Sequence, residues 1–279
     1  MDTILPSQPL SYGEIIKRSL RLYYLSFFKV FLLALILSII IFIPRLIADM
    51  TGHDLFSNLP PFSLHRLWLI LINLTGLAFF VAIIWHIYCV ARQVHEPFIE
   101  DIVVGIKKCI YILIAAIIQN AIIFAVIAVI FGLQILLYQY HWLFSSSILS
   151  VIFTSLVFIG EFILLLYMTI LFLFFTPLIA IENKGIFIAI EKSVLLAWNH
   201  WWRVFSLQVT PWICYLILLI IIKYGLRIDI HIYLGEQTQH PLWTSILNII
   251  IFALFIPWVA TLLLLQLKDL ELRRELARK

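Results

Sequence analysis

Six runs of mainly apolar residues, each long enough to cross a bilayer, constrain this 279-residue chain more than any other feature. A spanning helix needs about 20 such residues to cover roughly 30 Å of hydrocarbon. The runs fall at about 29–48, 67–91, 110–135, 146–178, 204–223 and 243–266. Inside hydrocarbon the backbone must satisfy its own hydrogen bonds, which leaves only helices or a closed barrel. Barrel strands alternate between lipid-facing and lumen-facing residues, whereas Ile110–Ile135 is apolar on every side, so the runs predict helices. Charged residues make up 12% of the chain and apolar residues 64%, against about a quarter charged in soluble domains. No polar stretch is long enough to fold alone, so residues 1–279 are expected to form a single polytopic, all-α membrane domain.

The fourth run exceeds one bilayer and is expected to tilt, kink or extend beyond the membrane, ending at Pro177. Pro44, Pro211 and Pro257 are expected to kink spans one, five and six. A mostly polar or amphipathic stretch of about 26 residues precedes the first run, and no small-residue cleavage site follows it. The first run therefore reads as an uncleaved span.

Lysine and arginine set the expected orientation. With the N-terminus inside, fifteen of the 19 basic residues fall in inner segments; only Arg45, Arg66, Lys223 and Arg227 fall outside. In short loops this is the positive-inside pattern, and it places both termini in the cytoplasm.

A repeat lies in the inner segments. Ile16-Lys17-Arg18-Ser19-Leu20 aligns with Ile106-Lys107-Lys108-Cys109-Ile110 and with Ile190-Glu191-Lys192-Ser193-Val194. From Ile16 to Phe31 against Ile190 to Phe205, five of sixteen positions are identical, and five more keep basic or aromatic character. Three pseudo-repeats follow, at about 11–91, 99–178 and 185–266, each an interfacial amphipathic helix that turns into two spans. Basic groups and aromatic rings together suit the lipid–water boundary. The plain reading is an anchor that sets depth; the sharper one is a headgroup- or partner-binding surface of Arg18, Lys29, Lys192, Trp202 and Arg203.

Ser11-Tyr-Gly-Glu-Ile-Ile-Lys-Arg-Ser-Leu20, Thr176-Pro-Leu-Ile-Ala-Ile-Glu-Asn-Lys-Gly185, Ala189-Ile-Glu-Lys-Ser193 and Trp202-Arg203-Val204 carry a resemblance. Together they resemble the YciC-like bacterial inner-membrane proteins and the related membrane domain attached to some glycerophosphodiester phosphodiesterases. The resemblance implies an integral inner-membrane protein and supplies no catalytic residues. The soluble phosphodiesterase domain has no counterpart here, so its activity does not transfer.

Chemistry inside the spans reduces to a few side chains. Glu161 is the only acidic residue deep in an expected span, and such a group is a functional candidate by default. Ser147, Thr154, Glu161 and Met168 recur every seven residues and share a helix face, with Ser150 close by. Asn120, about ten residues into the third span, is the expected partner of Glu161. The carboxyl group is either a protonated hydrogen-bonding group between helices or the centre of transport or proton coupling. His86 is expected to be an interface residue, and Glu100-Asp101 to lie at the cytoplasmic surface. His53, His65, His141, His231 and His240 share no metal-ligand spacing. Cys89, Cys109 and Cys214 lie in or beside apolar segments, where small-hydrophobe roles are expected.

Nucleotide-binding, metalloprotease and hydrolase motifs are all missing from the sequence. The positive charge is spent on topology, which leaves no basic soluble face for nucleic acid. The expectation is a non-enzymatic membrane protein without a cofactor, whose partners are membrane lipids or another membrane protein. The rival is a small transporter or channel using Glu161.

Overall fold

A computed structural model describes residues 5–51, 64–94, 96–139, 147–228, 230 and 241–277. It is 90% helical, with no strand among those residues. The helices are α1 (Tyr12–Thr51), α2 (Leu64–Ala91), α3 (Phe98–Gln139), α4 (Ser147–Leu171), α5 (Phe175–Glu182), α6 (Ile186–Ala197), α7 (Trp201–Ile220) and α8 (Leu242–Ala277). A 3₁₀ turn, Trp198–His200, joins α6 to α7, and a π-turn, Ile221–Gly225, follows α7. Among the described residues six segments are long and apolar enough to span a membrane: 12–47, 67–91, 98–136, 152–182, 186–225 and 242–277. The chain is a multi-pass helical membrane protein.

α1 packs against both α2 and α8, which also touch each other, and α3 packs against α2. The core joins Leu33 and Leu37 of α1, Ile83 and Ile87 of α2, Leu178 of α5 and Leu264 of α8. At the other end of the bundle, Arg45 pairs with Asp49 at 3.3 Å, and Asp49 accepts a hydrogen bond from Ser245 of α8.

α1 must bend. Its Ser19 accepts a hydrogen bond from Trp258, while its Phe42 meets Phe252 edge-on. A straight helix covers about 35 Å between positions 19 and 42, whereas α8 covers about 9 Å between 252 and 258. Side-chain reach does not span that difference. Between the two contacts, Ser26 and Ser38 donate to the carbonyls of Leu22 and Ala34, back-bonding of the kind that bends helices.

The second helix pair is closed by small residues. Gly105 of α3 lies so near α2 that an added Cβ would fall 2.3 Å from the Ala78 carbonyl oxygen and 3.1 Å from the Ala82 Cβ. One turn on, the Cys109 thiol donates to the Leu74 carbonyl at 3.3 Å. Without a hydrophobic drive between helices in lipid, such close backbone contact is what holds a pair together.

The fourth span is broken rather than tilted. α4 stops at Leu171 and α5 begins at Phe175, with Pro177 in its first turn. Proline supplies no N–H and clashes with the carbonyl four residues earlier, so Pro177 marks the restart of a helix, not the end of the span. Ser193 of α6 fills the break: its hydroxyl donates to the Leu171 carbonyl at 2.8 Å and accepts the Phe174 N–H at 3.0 Å. Ser193 is fully buried, so Ser193→Ala should orphan both backbone groups at a cost of about 1–3 kcal/mol. Thermal unfolding in detergent checks this, and an unshifted midpoint would remove Ser193 from that role.

The pseudo-repeats take unlike paths. α1 and α3 each run unbroken from the inner segment into the span, against the expected turn; only the third unit breaks, at Trp198–His200. No glycine, proline, asparagine or histidine interrupts 16–31, whereas Asn199 and His200 favour leaving a helix. The three units do share a buried register. Ile15, Gly105 and Ala189 are buried, as are Ser19, Cys109 and Ser193, and Leu22, Ile112 and Leu196. Tyr24 and Trp198, and Phe28 and Trp202, are exposed at matching places in the first and third units.

Beyond this region α3 and α4 stand apart from the bundle. Among the described side chains, none from 116 to 136 of α3 or 152 to 169 of α4 is buried.

Candidate functional site

Glu161 sits on that loosely packed hairpin. Its Oε1 accepts a hydrogen bond from Gln134 Nε2 at 2.8 Å, and both side chains are half-buried. Asn120 is not the partner: it is exposed, and its amide donates to the Ala116 carbonyl of its own helix. An antiparallel pair that sets 134 against 161 leaves 120 about 21 Å away along the axis. Asn120 sits at another level because α3 is 42 residues long, and apolarity does not reveal where a long helix crosses the bilayer. Thr154 lies two turns nearer the α4 start and is exposed. Glu161–Gln134 is thus a polar clasp between two helices that share little else.

The residues expected to face headgroups divide into two sets. Lys192 is held inside an ionic ring: it pairs with Glu182 of α5 at 2.8 Å and with Glu271 of α8. Lys268 completes the ring, 2.9 Å from Glu182 and 2.7 Å from Glu271. Two cations and two carboxylates neutralise one another and tie α5, α6 and α8 together.

Arg203 is committed as well. Asp269, whose side chain is 1% exposed, receives the Leu10 N–H at 2.7 Å, Arg203 Nη2 at 3.2 Å and Arg273 Nε at 2.9 Å. The Nη2 groups of Arg203 and Arg273 both donate to the Leu10 carbonyl, at 2.7 and 2.8 Å. Both backbone groups of Leu10 are therefore captured by α7 and α8, and residues 5–11 lie strapped across the bundle end. Lys192 and Arg203 join helices here, rather than reaching for headgroups.

Arg18 is half-buried, while Lys29 is exposed and donates to the Glu96 carbonyl at 3.0 Å. Trp202 is 63% exposed, with its ring tilted on Phe205 and edge-on to Trp201. Tyr24 and Phe28, at 81% and 87%, face outward on α1 beside Lys17 and Arg21. These rings and cations share the exposed side of α1 and α7 among the described residues.

One site escaped sequence reasoning. His86 Nδ1 lies 2.8 Å from Asp101 Oδ2, and both side chains are buried. Asp101 is fully enclosed, not at the surface, because the Gly105–Ala78 approach draws the start of α3 against α2. Beside it, Trp85 Nε1 donates to Glu96 at 2.6 Å. The signal available was spacing: Asp101, Gly105 and Cys109 lie four apart, opposite Ala78, Ala82 and His86. No group of three metal-ligating side chains forms among the described residues, and His53, His141, His231 and His240 lie outside them.

Comparison with known protein families, with characterised proteins and with solved structures gives no match.

Proposed function

We propose that this chain is a non-enzymatic integral membrane protein of the bacterial inner membrane, serving lipid or envelope homeostasis or assisting another membrane component. The observation that carries this reading is how its charges are spent. The ring of Lys192, Glu182, Lys268 and Glu271 and the Asp269 cluster satisfy themselves internally. They act as fasteners, while the outward side presents rings and cations suited to lipid: Tyr24, Phe28, Trp202, Lys17 and Arg21. The proposal includes the resemblance of Ser11–Leu20, Thr176–Gly185, Ala189–Ser193 and Trp202–Val204 to the YciC-like proteins. Capture of the full chain in mild detergent, followed by lipid and protein mass spectrometry, tests it. Purification with neither phospholipid nor a membrane partner would overturn it.

Both termini are assigned to the cytoplasm. The ionic end carries Arg18, Lys29, Lys108, Lys192, Arg203, Lys268 and Arg273, as the positive-inside rule requires of that side. Reporters fused before Ser11 or after Lys279 should read as cytoplasmic, and those near Gly52, His141 and Gln237 as external. A cytoplasmic signal at His141 would undo the pairing of α3 with α4.

A small transporter or channel is the second reading, favoured by one observation: a carboxyl group on a hairpin with little other packing. Glu161→Gln separates the two. If Glu161 only clasps α3 to α4, Gln should leave stability and growth nearly unchanged, and Ala should cost about 0.6 kcal/mol. If it couples ions, Gln should abolish activity as fully as Ala, because the exchange needs the carboxylate.

A further inference from the structure

We propose that residues 5–11 are a latch opened by anionic phospholipid: a headgroup phosphate takes the place of the Leu10 carbonyl between Arg203 and Arg273. The proposal rests on the lipid reading above and gives it a ligand and a place. The ring at Lys192 balances two cations against two carboxylates, whereas the cluster at Leu10 does not balance. Arg203 and Arg273 share one carboxylate, Asp269, and neither pairs with a second acid among the described residues. One positive charge is left over. The group set against it is neutral: the Leu10 carbonyl accepts from both Nη2 atoms, at 2.7 and 2.8 Å.

Two guanidinium groups converging on one oxygen suit a phosphate better than an amide. Arginine–phosphate bonds are charge-assisted and roughly twice as strong as those to a neutral acceptor, and the planar fork matches phosphate geometry. The two arginine side chains are 24% and 29% exposed, so an anion can approach them from outside. Trp202, next to Arg203 in the chain, is 63% exposed, and tryptophan is enriched at headgroup level.

The strap is built to leave as a unit. Among the described residues, Leu10 makes all the hydrogen bonds that tie 5–10 to the bundle. Pro6 and Pro9 supply no amide donor to any other partner. Immediately after the strap, the Ser11 N–H donates to Glu14 at 3.0 Å and the Glu14 N–H to Ser11 Oγ at 3.4 Å. This capping box closes the start of α1 on its own, so α1 keeps its first turn when Leu10 lets go. The departing Leu10 side chain uncovers Leu207, Leu262 and Leu265. An apolar patch beside two cations is what the glycerol esters and first methylenes of a phospholipid cover.

Hydrogen exchange at the Leu10 amide, measured on the full chain in nanodiscs, tests the latch. In phosphatidylcholine alone the amide should be protected. Adding phosphatidylglycerol should speed its exchange, and the gain should fade as salt rises. Arg273→Gln removes the surplus charge and should cut the ratio of the two rates about fivefold at low salt, the usual weight of one basic group near an anionic surface. Arg273→Lys keeps the charge and should keep most of the ratio. Comparing ratios within each variant cancels any loosening of the strap that the substitution itself causes. The salt series on the parent carries the test if either variant misfolds. Equal exchange in both lipids, or a ratio that Arg273→Gln leaves intact, would overturn the latch. Inorganic phosphate acting in phosphatidylcholine as strongly as phosphatidylglycerol does would overturn the lipid as the source of the anion. If phospholipid co-purifies but phosphatidylglycerol leaves Leu10 protected, the latch is wrong and the general function stands; if neither phospholipid nor a membrane partner co-purifies, the function itself fails.

Discussion

Replacing Gly105 with leucine should leave no folded protein, and replacing it with alanine should destabilise the bundle by about 1–3 kcal/mol, the usual range for overpacking. The alanine methyl would fall 2.3 Å from the Ala78 carbonyl oxygen. That neighbour is backbone and cannot rotate away, so α2 and α3 must part. Parting them also strains the Cys109–Leu74 and His86–Asp101 hydrogen bonds, which belong to the same seam. Thermal unfolding in detergent and recovery from membranes measure the effect. A leucine variant as abundant and heat-resistant as the parent would show that the helices do not meet there.

The second large effect is expected at Asp269. Asp269→Ala removes the acceptor shared by Leu10 N–H, Arg203 and Arg273. Breaking a buried pair from one side typically costs about 3–5 kcal/mol. The guanidinium groups here are 24% and 29% exposed, and water relieves part of their loss, so the lower end of that range is expected. Asp269→Asn keeps an acceptor for the Leu10 N–H and should be milder. Limited proteolysis gives the local readout: cleavage before Tyr12 should accelerate strongly in Asp269→Ala and little in Asp269→Asn. Equal protection in both variants and the parent would mean that the strap is held by other contacts.

The sequence showed which parts of the chain cross the membrane because transfer into hydrocarbon depends on composition, and a window of residues measures composition well. It did not show which residue meets which. Gln134 and Glu161 are 27 positions apart, and their meeting depends on the pairing register of two featureless apolar helices. Asn120 was the natural choice only if the third span began where its apolar run begins, and α3 starts at Phe98 instead. Pro177 was legible as a break, but the next helix starts at Phe175 only because Ser193, from another element, satisfies the break. Arg203 and Lys192 looked like surface cations because nothing local marks Asp269 or Glu271 as their partners, 66 and 79 positions further on. Small residues left the clearest unread sign, since glycine and alanine at helical spacing announce close contact without naming the partner helix.

The strap at Leu10 also fixes an order of events in time. Its partner Asp269 is 259 positions downstream, which at 5–20 residues per second takes roughly 13–52 s to synthesise. Throughout that interval α1 has no α8 to rest on, and the faces that Phe252 and Trp258 will cover must tolerate lipid. Phe42 does so readily, while Ser19 and Ser26 keep their hydroxyls bonded to their own helix. The growing chain can therefore wait in the bilayer without exposing an unsatisfied group on that face, and the segments around Leu10 and Asp269 join only once α8 has been made.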